Sequence, residues 1–206
     1  MTSARGPGRP KLDPTVDNRQ RILTTARELF SESGFERTTM RAIGRRAGVD
    51  PALIHHYFGT KSDLLVAALR PEVNVAAVFD GIADTDSSVG REFVHRVIDF
   101  WERDPQQRAR AVALLRVAVT HEQIADRLRE FIRGVATAAL GEFVATDDSD
   151  RRVAMVMSQM LGLILARYVM KVPGIADASA TELSRWVGPT IDNYLSGDIG
   201  GVSPDR

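Results

Sequence analysis

The sequence predicts an all-α protein of about nine helices. Apolar residues recur at spacings of three and four along most of the chain, which is the period of an amphipathic helix. Capping signals, in which Ser, Thr or Asp precedes an apolar run, recur between these stretches. No segment alternates apolar and polar residues as a strand would, so no sheet is predicted.

Composition is that of an ordinary globular protein. The 206 residues are 44% hydrophobic and 26% charged and include no cysteine, which excludes disulfides and thiolate metal sites. Basic residues near the N-terminus have no apolar run behind them, so no signal peptide is predicted. The most apolar stretch, 153–170, is interrupted by Ser158, Gln159 and Arg167, which argues against a membrane span. We therefore expect a cytoplasmic protein without a membrane partner.

Charge is unevenly distributed although the formal net charge is zero. Residues 1–70 contain twelve Lys and Arg against seven Asp and Glu, and the remainder contains fifteen against twenty. A basic N-terminal part joined to an acidic body is typical of a phosphate-binding module on a soluble scaffold.

The N-terminal part is predicted to contain a tail and three helices. Residues 1–16 form a flexible basic tail, because Gly and Pro interrupt it repeatedly. The first helix runs from Asp17 and is ended by Gly34. The second begins at Thr38 or Thr39 and stops at Gly48. The third, 52–58, follows an Asp-Pro pair that supplies a cap oxygen and a residue suited to the first helical position.

Six further helices are predicted from the same signals. Their ranges are 61–70, 88–103, 105–119, 120–145, 148–171 and 179–195. Three of the N-termini are predicted to carry capping boxes, formed by Thr60 with Asp63, Thr120 with Gln123 and Ser179 with Glu182. The last helix is expected to kink at Pro189.

Helices two and three have the spacing of a helix-turn-helix. They are short, and the glycine of Ala47-Gly48-Val49 permits a sharp turn between them. Ile43 and Ile54 can fill the space where they cross. This geometry presents the second helix of the pair to a DNA major groove. A helical hairpin buried in a core has the same spacing, so the alternative stays open at this point.

A longer run carries a resemblance to a known family. RILTTARELFSESGFERTTMRAIGRRAGVDPALIHHYFGTKSDLL, residues 21–65, resembles the N-terminal domain of the tetracycline-repressor (TetR) family. The matching positions are Ala26, Leu29, Phe30, Gly34, Phe35, Thr38, Thr39, Ile43, Ala47, Gly48, Val49, Tyr57, Phe58, Lys61, Leu64 and Leu65.

The resemblance implies a division into two domains. Residues 17–65 would form a three-helix DNA-binding domain containing the helix-turn-helix, and residues 66–206 a helical ligand-binding and dimerisation domain. The implied function is a ligand-responsive, sequence-specific transcriptional regulator. Repression, with release from a near-palindromic operator by a small molecule, is the family default.

The resemblance also assigns DNA contacts. The positions concerned are Thr39, Arg41, Ala52, Leu53, His55, His56, Tyr57 and Lys61. Ala52, Leu53 and His55 are the groove-facing positions. Thr39, at a helix N-terminus, is the expected phosphate contact. His56 and Lys61 match phosphate contacts, Arg41 a base or phosphate contact, and Tyr57 a core or backbone position.

Some residues depart from the family pattern. Asp50 stands where Ser or Thr is usual, and Pro51 has no N–H to offer a phosphate. Gly44 replaces alanine, which weakens the second helix by up to about 1 kcal/mol. His55 replaces a common tyrosine. Protonation would add a positive charge there, so we expect tighter DNA binding near about pH 6 than about pH 8.

Two further features concern metal and the tail. His55 and His56 point about 100° apart on a helix and cannot both ligate one ion, so no metal site or cofactor is predicted. Arg5 and Arg9 resemble arginine arms that enter a DNA minor groove. A solvated tail without contacts is the equal alternative.

The eighth predicted helix is apolar on most of its circumference. Its apolar residues are Val153, Val156, Met157, Met160, Leu161, Ile164, Leu165 and Tyr168. One small domain cannot cover every face, so part should meet a partner. By resemblance, the last two helices form a homodimer interface, which would set two recognition helices on a palindromic operator. A fully buried core helix in a monomer is the alternative.

Large apolar residues of the central helices are candidates to line a small-molecule pocket. They are Phe79, Phe93, Val97, Phe100, Trp101, Leu114, Phe131, Met157 and Met160. Ordinary core packing is the alternative for each. Arg167 could bind an anionic ligand or form an ion pair. The effector is unknown, and by resemblance it would move the fourth helix, with Pro71 at the junction.

No catalytic constellation is found. The chain has no glycine-rich phosphate loop, paired carboxylates or plausible triad, so an enzyme is not predicted. A helical dimerisation or adaptor protein with a degenerate DNA-binding motif is the remaining rival.

Overall fold

The protein is built from helices in the part of the chain that the structure describes. A computed structural model describes residues 14–84 and 86–199, and these ranges contain ten α-helices and no strand. The chain divides into two compact units, one ending at Leu69 and the other beginning at Arg70. The all-α fold class is therefore confirmed, with ten helices in place of about nine.

The first unit contains four helices. They are α1 (Pro14–Arg37), α2 (Met40–Ala47), α3 (Pro51–Phe58) and α4 (Lys61–Leu69). Helical geometry in α1 is broken at Gly34, where φ is 76° and ψ is 171°. Thr38 follows this break, and its buried hydroxyl donates to the carbonyl oxygens of Gly34 (2.8 Å) and Leu29 (3.1 Å).

The core of the first unit is formed by side chains from all four helices. Ile22, Ile43, Ile54 and Leu64, one from each helix, have 0% of their surface exposed. Full burial of one such side chain stabilises the fold by about 1.5–3 kcal/mol. The guanidinium of Arg27 donates to the backbone oxygen of Ala68 (2.7 Å), which joins α1 to the end of α4.

The second unit contains the other six helices. They are α5 (Val75–Phe79), α6 (Val89–Arg103), α7 (Pro105–Ala118), α8 (Glu122–Leu140), α9 (Ser149–Ile164) and α10 (Ala180–Ser196). After Ile164, α9 continues as one π-helical turn, Leu165–Val169. Such turns are rare and are frequent at functional sites.

Helices α6 and α10 approach each other through two glycines. A Cβ on Gly90 would overlap the backbone oxygen of Gly188, and a Cβ on Gly188 would lie 2.6 Å from Cα of Arg91. Asp192 of α10 accepts a hydrogen bond from the N–H of Gly90 (2.7 Å), which fixes the start of α6. No larger residue fits at either glycine without separating the helices.

A buried arginine fixes the end of α10. Arg152 of α9 is 3% exposed and donates to the backbone oxygens of Tyr194 and Gly197, both at 3.0 Å. It also pairs with Asp147 at 2.8 Å, and that hydrogen bond lowers the pKa of the carboxylate. These bonds satisfy carbonyl groups that a helix C-terminus leaves open.

Several local predictions differ from the structure. Helix α1 begins at Pro14, within the range 1–16 predicted as a tail, and continues past its break at Gly34 to Arg37. The short helix α5 was not predicted, because five residues are too few for a period to emerge. The predicted capping box of Thr120 is wrong, since α8 begins at Glu122 after His121 and has no side-chain cap. Helix α8 also ends at Leu140, short of the predicted residue 145, and the N–H of Ala145 donates to the oxygen of Leu195 (2.9 Å).

Candidate nucleic-acid interface and ligand cavity

Local sequence accounts for the helix-turn-helix. The hydroxyl of Thr39 accepts from the N–H of Ala42 (3.1 Å) and begins α2. Gly48 ends it in the left-handed region, with φ 64° and ψ 38°. Asp50 then accepts from the N–H of Ala52 (2.7 Å) and begins α3, with Pro51 at its first turn.

The unusual glycine in α2 has a steric explanation. A Cβ on Gly44 would lie 2.9 Å from the oxygen of Val49 and 3.2 Å from Cγ of Pro51. The N–H of Val49 also donates to the oxygen of Gly44 (3.0 Å). Gly44 and Pro51, two departures from the family pattern, therefore lie against each other, and glycine permits the close approach.

The arginines of α2 fall into two groups. Arg41 and Arg45 are exposed and lie one turn apart. Arg46 pairs with Glu32 (2.7 Å) and Glu28 (3.1 Å) of α1, and its hydrogen bond lowers the pKa of Glu32. Arg41 is a candidate DNA contact from the sequence and Arg45 is not, although Arg45 is equally exposed at a spacing of four from it.

Helix α3 exposes a short polar face. Ala52, His55 and His56 are exposed, whereas Leu53 and Tyr57 are half-buried. Nδ1 of His55 lies 2.9 Å from the backbone oxygen of Gly59. Because a carbonyl oxygen can only accept, Nδ1 carries the proton, and the neutral ring keeps Nε2 as an acceptor.

Lys61 is held by the backbone of α1. Its Nζ donates to the oxygen of Phe35 (2.9 Å) and lies 4.2 Å from the centroid of the Phe35 ring. The oxygen of Glu36 lies 3.5 Å from the same atom. An ammonium group has three N–H donors, so one remains for a phosphate. Arg5 and Arg9, the other predicted contacts, lie outside the described residues.

The second unit contains an apolar cavity of about 160 Å³ that is partly open. All nine apolar pocket candidates from the sequence line it: Phe79, Phe93, Val97, Phe100, Trp101, Leu114, Phe131, Met157 and Met160. Pro71 and Val73 also line the cavity. The sequence did not predict them as lining residues because they lie between α4 and α5, outside any helical pattern. The rings of Phe79 and Phe93 stack, with centroids 5.3 Å apart.

Arg167 does not line this cavity. Its guanidinium pairs with Glu102 (3.2 Å) and donates to the oxygens of Ile175 (2.6 Å) and Ala178 (2.8 Å). Of the two roles considered for Arg167, the structure contains the ion pair. The bonds to Ile175 and Ala178 tie the end of α9 to the segment that precedes α10.

One wall of the cavity is continuous with this ion pair. The indole of Trp101 stacks on Tyr168 with centroids 5.2 Å apart, and the Tyr168 hydroxyl donates to Glu102 (2.8 Å). Burial raises the pKa of Tyr168 well above its ordinary value, and the bond to Glu102 raises it further. Burial also raises the pKa of Glu102, but the Tyr168 bond and the charges of Arg108 and Arg167 outweigh it and lower the pKa overall.

Two family matches cover most of the chain. Residues 22–68 match "Bacterial regulatory proteins, tetR family", and residues 87–195 match "Tetracyclin repressor-like, C-terminal domain". The chain therefore belongs to the tetR family of bacterial regulatory proteins and is a helix-turn-helix transcriptional regulator. The resemblance identified from residues 21–65 is confirmed.

Individual relatives agree with this assignment. The HTH-type transcriptional regulator BetI of Rhizobium meliloti (strain 1021) is 26% identical over 185 residues, which are 86% of this chain and 91% of BetI. UidR of Escherichia coli K12 is 30% identical over 116 residues, 54% of this chain and 57% of UidR.

Solved structures share the fold. A TetR-family regulator from Streptomyces coelicolor A3 superposes with a TM-score of 0.67 at 27% identity, covering 91% of this chain and 99% of that one. The multidrug binding protein EbrR, complexed with imidazole, has a TM-score of 0.62 at 18% identity, covering 89% and 97%, and shows the fold alone.

One helical stretch, Ser149–Val169, has the length and composition of a membrane span. The core helix of a soluble protein passes the same test, and this stretch lies within the matched family domain. It therefore gives no reason to treat the protein as a membrane protein.

Proposed function

We propose that the protein represses transcription by binding a near-palindromic operator as a homodimer and that a small molecule releases it. The unit ending at Leu69 would bind DNA, and the unit from Arg70 would bind the ligand and dimerise. The observation that carries the proposal is the exposed face of α3, formed by Ala52, His55 and His56, directly after the Asp50 cap. A relative from Corynebacterium efficiens, the HTH-type transcriptional repressor AcnR, is 38% identical over 60 residues, which supports repression over activation.

The DNA contacts in this proposal follow the exposed residues of α2 and α3. Thr39, whose hydroxyl oxygen caps α2, keeps its O–H free to donate to a phosphate. Arg41 reaches a base or a phosphate, and His56 and the third Nζ donor of Lys61 reach phosphates. His55 reads a base edge through Nε2, while Ala52 and Leu53 contact thymine methyl groups.

The dimer is proposed to form through α9 and α10. Ala154, Ser158 and Gly162 form an exposed strip of small residues at spacings of four along α9. Leu161 on α9 is 39% exposed, and Trp186 on α10 is 51% exposed. Small residues permit close helix approach, and an exposed Trp is frequent at the centre of interfaces. These features favour a partner subunit over solvent.

Ligand release is proposed to act through the cavity wall. Pro71 lies two residues after the end of α4 and lines the cavity. A bound molecule that displaces Pro71 would therefore change the direction in which the chain leaves α4. The ligand must bind the DNA-incompetent state more tightly than the competent one, because otherwise no population shifts. A cytoplasmic location follows from the proposal, since the operator is there.

Selection of bound sequences from random duplex DNA by the purified protein tests the proposal. We expect a near-palindrome with half-sites one or more helical turns apart. Arg41→Ala and His55→Ala should each weaken binding to it, and the salt dependence should be steep. Val119→Ala, a change at an exposed residue of the second unit, should leave binding unchanged.

Two outcomes would contradict the proposal. Recovery of no enriched sequence would favour the adaptor alternative with a degenerate motif. Recovery of a single asymmetric half-site would contradict the homodimer.

If residues 1–12 act as a minor-groove arm through Arg5 and Arg9, their deletion should lower both the affinity and the salt slope, whereas a solvated tail predicts no change in either.

A further inference from the structure

We infer that the cavity of the second unit takes an uncharged, apolar molecule about the size of one aromatic ring with a short alkyl branch. This inference rests on the proposed function, in which that cavity receives the effector. It goes further because it assigns the charge, polarity and size of the effector from the residues that surround the cavity.

The lining excludes a charged ligand. The residues that line the cavity have apolar side chains, and the indole N–H of Trp101 is the only side-chain N–H or O–H donor among them. The thioether sulfurs of Met157 and Met160 are weak acceptors. An ion placed there would lose its hydration without gaining a partner, which costs several kcal/mol. An uncharged hydrocarbon surface loses little hydration and gains dispersion contacts with the lining.

The nearest charged groups already have partners. Glu102 does not line the cavity. Its carboxylate accepts hydrogen bonds from the Tyr168 hydroxyl and the Arg167 guanidinium. Arg70, the first residue of the second unit, is exposed. It lies over the ring of Phe131, with its guanidinium carbon 5.1 Å from the ring centroid. Neither group faces the cavity as a counter-ion.

An aromatic cage for a quaternary ammonium is the strongest rival. Such a cage needs several ring faces directed at one point. The rings of Phe79 and Phe93 stack on each other, with an interplanar angle of 26°, and Trp101 stacks on Tyr168 at 11°. Each of these lining rings has one face covered, and no carboxylate in the lining completes a cation site. The geometry favours a flat wall over a cage.

The volume of the cavity favours a small ligand. A cavity of about 150 Å³ lined by Leu, Ile and Phe binds benzene, and this cavity measures about 160 Å³. Met157 and Met160 in the lining are unbranched and adaptable, so a short alkyl branch can be accommodated by rotation of their side chains.

Binding of isosteric probes to the full-length protein without DNA tests the inference. Ethylbenzene, benzylammonium and benzoate have similar shapes and differ in charge, and phenyltrimethylammonium represents the cage. By calorimetry and thermal shift, ethylbenzene should bind at least about tenfold more tightly than each of the three ions. Equal or tighter binding of any ion, or no binding of ethylbenzene, would overturn the inference.

A pair of variants on α8 localises the binding. Ala136 is buried and lines the cavity, whereas Ala138 is exposed on the same helix and does not. Ala136→Leu fills the cavity and should abolish ethylbenzene binding, and Ala138→Leu should retain it. Retention of ethylbenzene binding by a folded Ala136→Leu protein would refute the site. If that variant does not fold, the comparison of probes on the unmodified chain still decides the ligand class.

Operator binding is measured in a separate experiment, the selection from random duplex DNA. A protein that selects an operator but prefers a charged probe would retain the proposed function and lose this inference. A protein that binds ethylbenzene in the cavity but selects no operator would support this inference and contradict the proposed function.

Discussion

The hydrogen bond to Gly59 selects one tautomer of the neutral His55 ring. Its Nδ1–H donates to the oxygen of Gly59, so in the neutral ring Nε2 is an acceptor. Protonation converts Nε2 into a donor and adds a positive charge. The sequence predicted the position of this histidine, but not its tautomer, because the partner is a backbone atom whose place depends on how α3 ends.

We predict that operator binding uses Nε2 of His55 as a hydrogen-bond acceptor. One hydrogen bond to a base edge contributes up to about 1.5 kcal/mol, so His55→Ala should weaken binding by up to about tenfold. Fluorescence anisotropy at fixed salt measures this, and Val119→Ala, at an exposed residue of the second unit, serves as the control. Unchanged affinity in His55→Ala would contradict the assignment.

Gly44 gives a second prediction at the scale of one residue. Alanine in place of glycine inside a helix ordinarily stabilises by about 0.5–1 kcal/mol. At Gly44 the new methyl would press on Val49 and Pro51, and overpacking costs about 1–3 kcal/mol. Gly44→Ala should therefore lower the free energy of unfolding in urea titrations.

Gly134 of α8 is the control for this change. A Cβ there meets nothing within 4 Å, so Gly134→Ala should stabilise by about 0.5–1 kcal/mol. If both variants gain stability, the close contact at Gly44 has no energetic consequence. The sequence marked Gly44 as unusual but could not give the reason, since Pro51 is brought against it only by the turn.

At the scale of helices, three capping boxes were predicted and two formed. At the start of α4, the N–H of Thr60 donates to the Asp63 carboxylate (3.0 Å) and the N–H of Asp63 donates to the Thr60 hydroxyl oxygen (3.1 Å). Ser179 and Glu182 make the reciprocal bonds at the start of α10. The hydroxyl of Thr120 instead donates to the oxygen of Val117 (3.1 Å), at the end of the preceding helix. Two helix ends compete for the same hydroxyl there, and sequence spacing alone cannot decide between them.

Alanine substitutions should separate the sites at Ser179 and Thr120. Ser179→Ala removes a formed cap and should cost about 1 kcal/mol in the free energy of unfolding. Thr120→Ala should cost less than about 0.5 kcal/mol, as at an ordinary surface position. Thermal or urea denaturation of the two variants measures both changes. Equal losses in the free energy of unfolding would show that the capping geometry does not affect stability.

The pH dependence of the Ser179 effect follows from Glu182. Bonds from the backbone N–H and hydroxyl of Ser179 lower the pKa of Glu182. A carboxylate with a lowered pKa stabilises the fold above its unfolded pKa, and the contribution is lost as pH falls through the folded value. The stability difference between the parent protein and Ser179→Ala should therefore shrink in acid. A difference that stays constant from neutral pH to about pH 3 would contradict this coupling.

At the scale of the whole molecule, the apolar period predicted which side chains point inward but not what they enclose. A residue that packs in a core and one that lines a cavity have the same spacing and chemistry, as Phe93 and Met160 illustrate. The void arises from how α6, α7, α8 and α9 are placed around one another, which no local signal specifies. The π-helical turn at Leu165–Val169 was likewise beyond prediction.

Dimerisation provides the prediction at this scale. A double variant, Ser158→Glu with Trp186→Glu, places like charges on the exposed faces of α9 and α10. It should sediment as a monomer and bind a palindromic operator at least about a hundredfold more weakly. Val119→Glu introduces the same charge at a residue that is 79% exposed and lies outside both helices. A dimeric double variant would place the interface elsewhere.

The contact between Gly90 and Gly188 limits how the second unit can respond to a ligand. With no side chain between α6 and α10 at this point, and with Asp192 bonded across it, the two helices have no room to slide or rotate past each other. Trp101 in the cavity wall lies on α6, and the exposed Trp186 lies on α10. A ligand that displaces Trp101 should therefore move α10 and Trp186 together with α6, and replacing either glycine with alanine should separate the two helices and weaken this coupling.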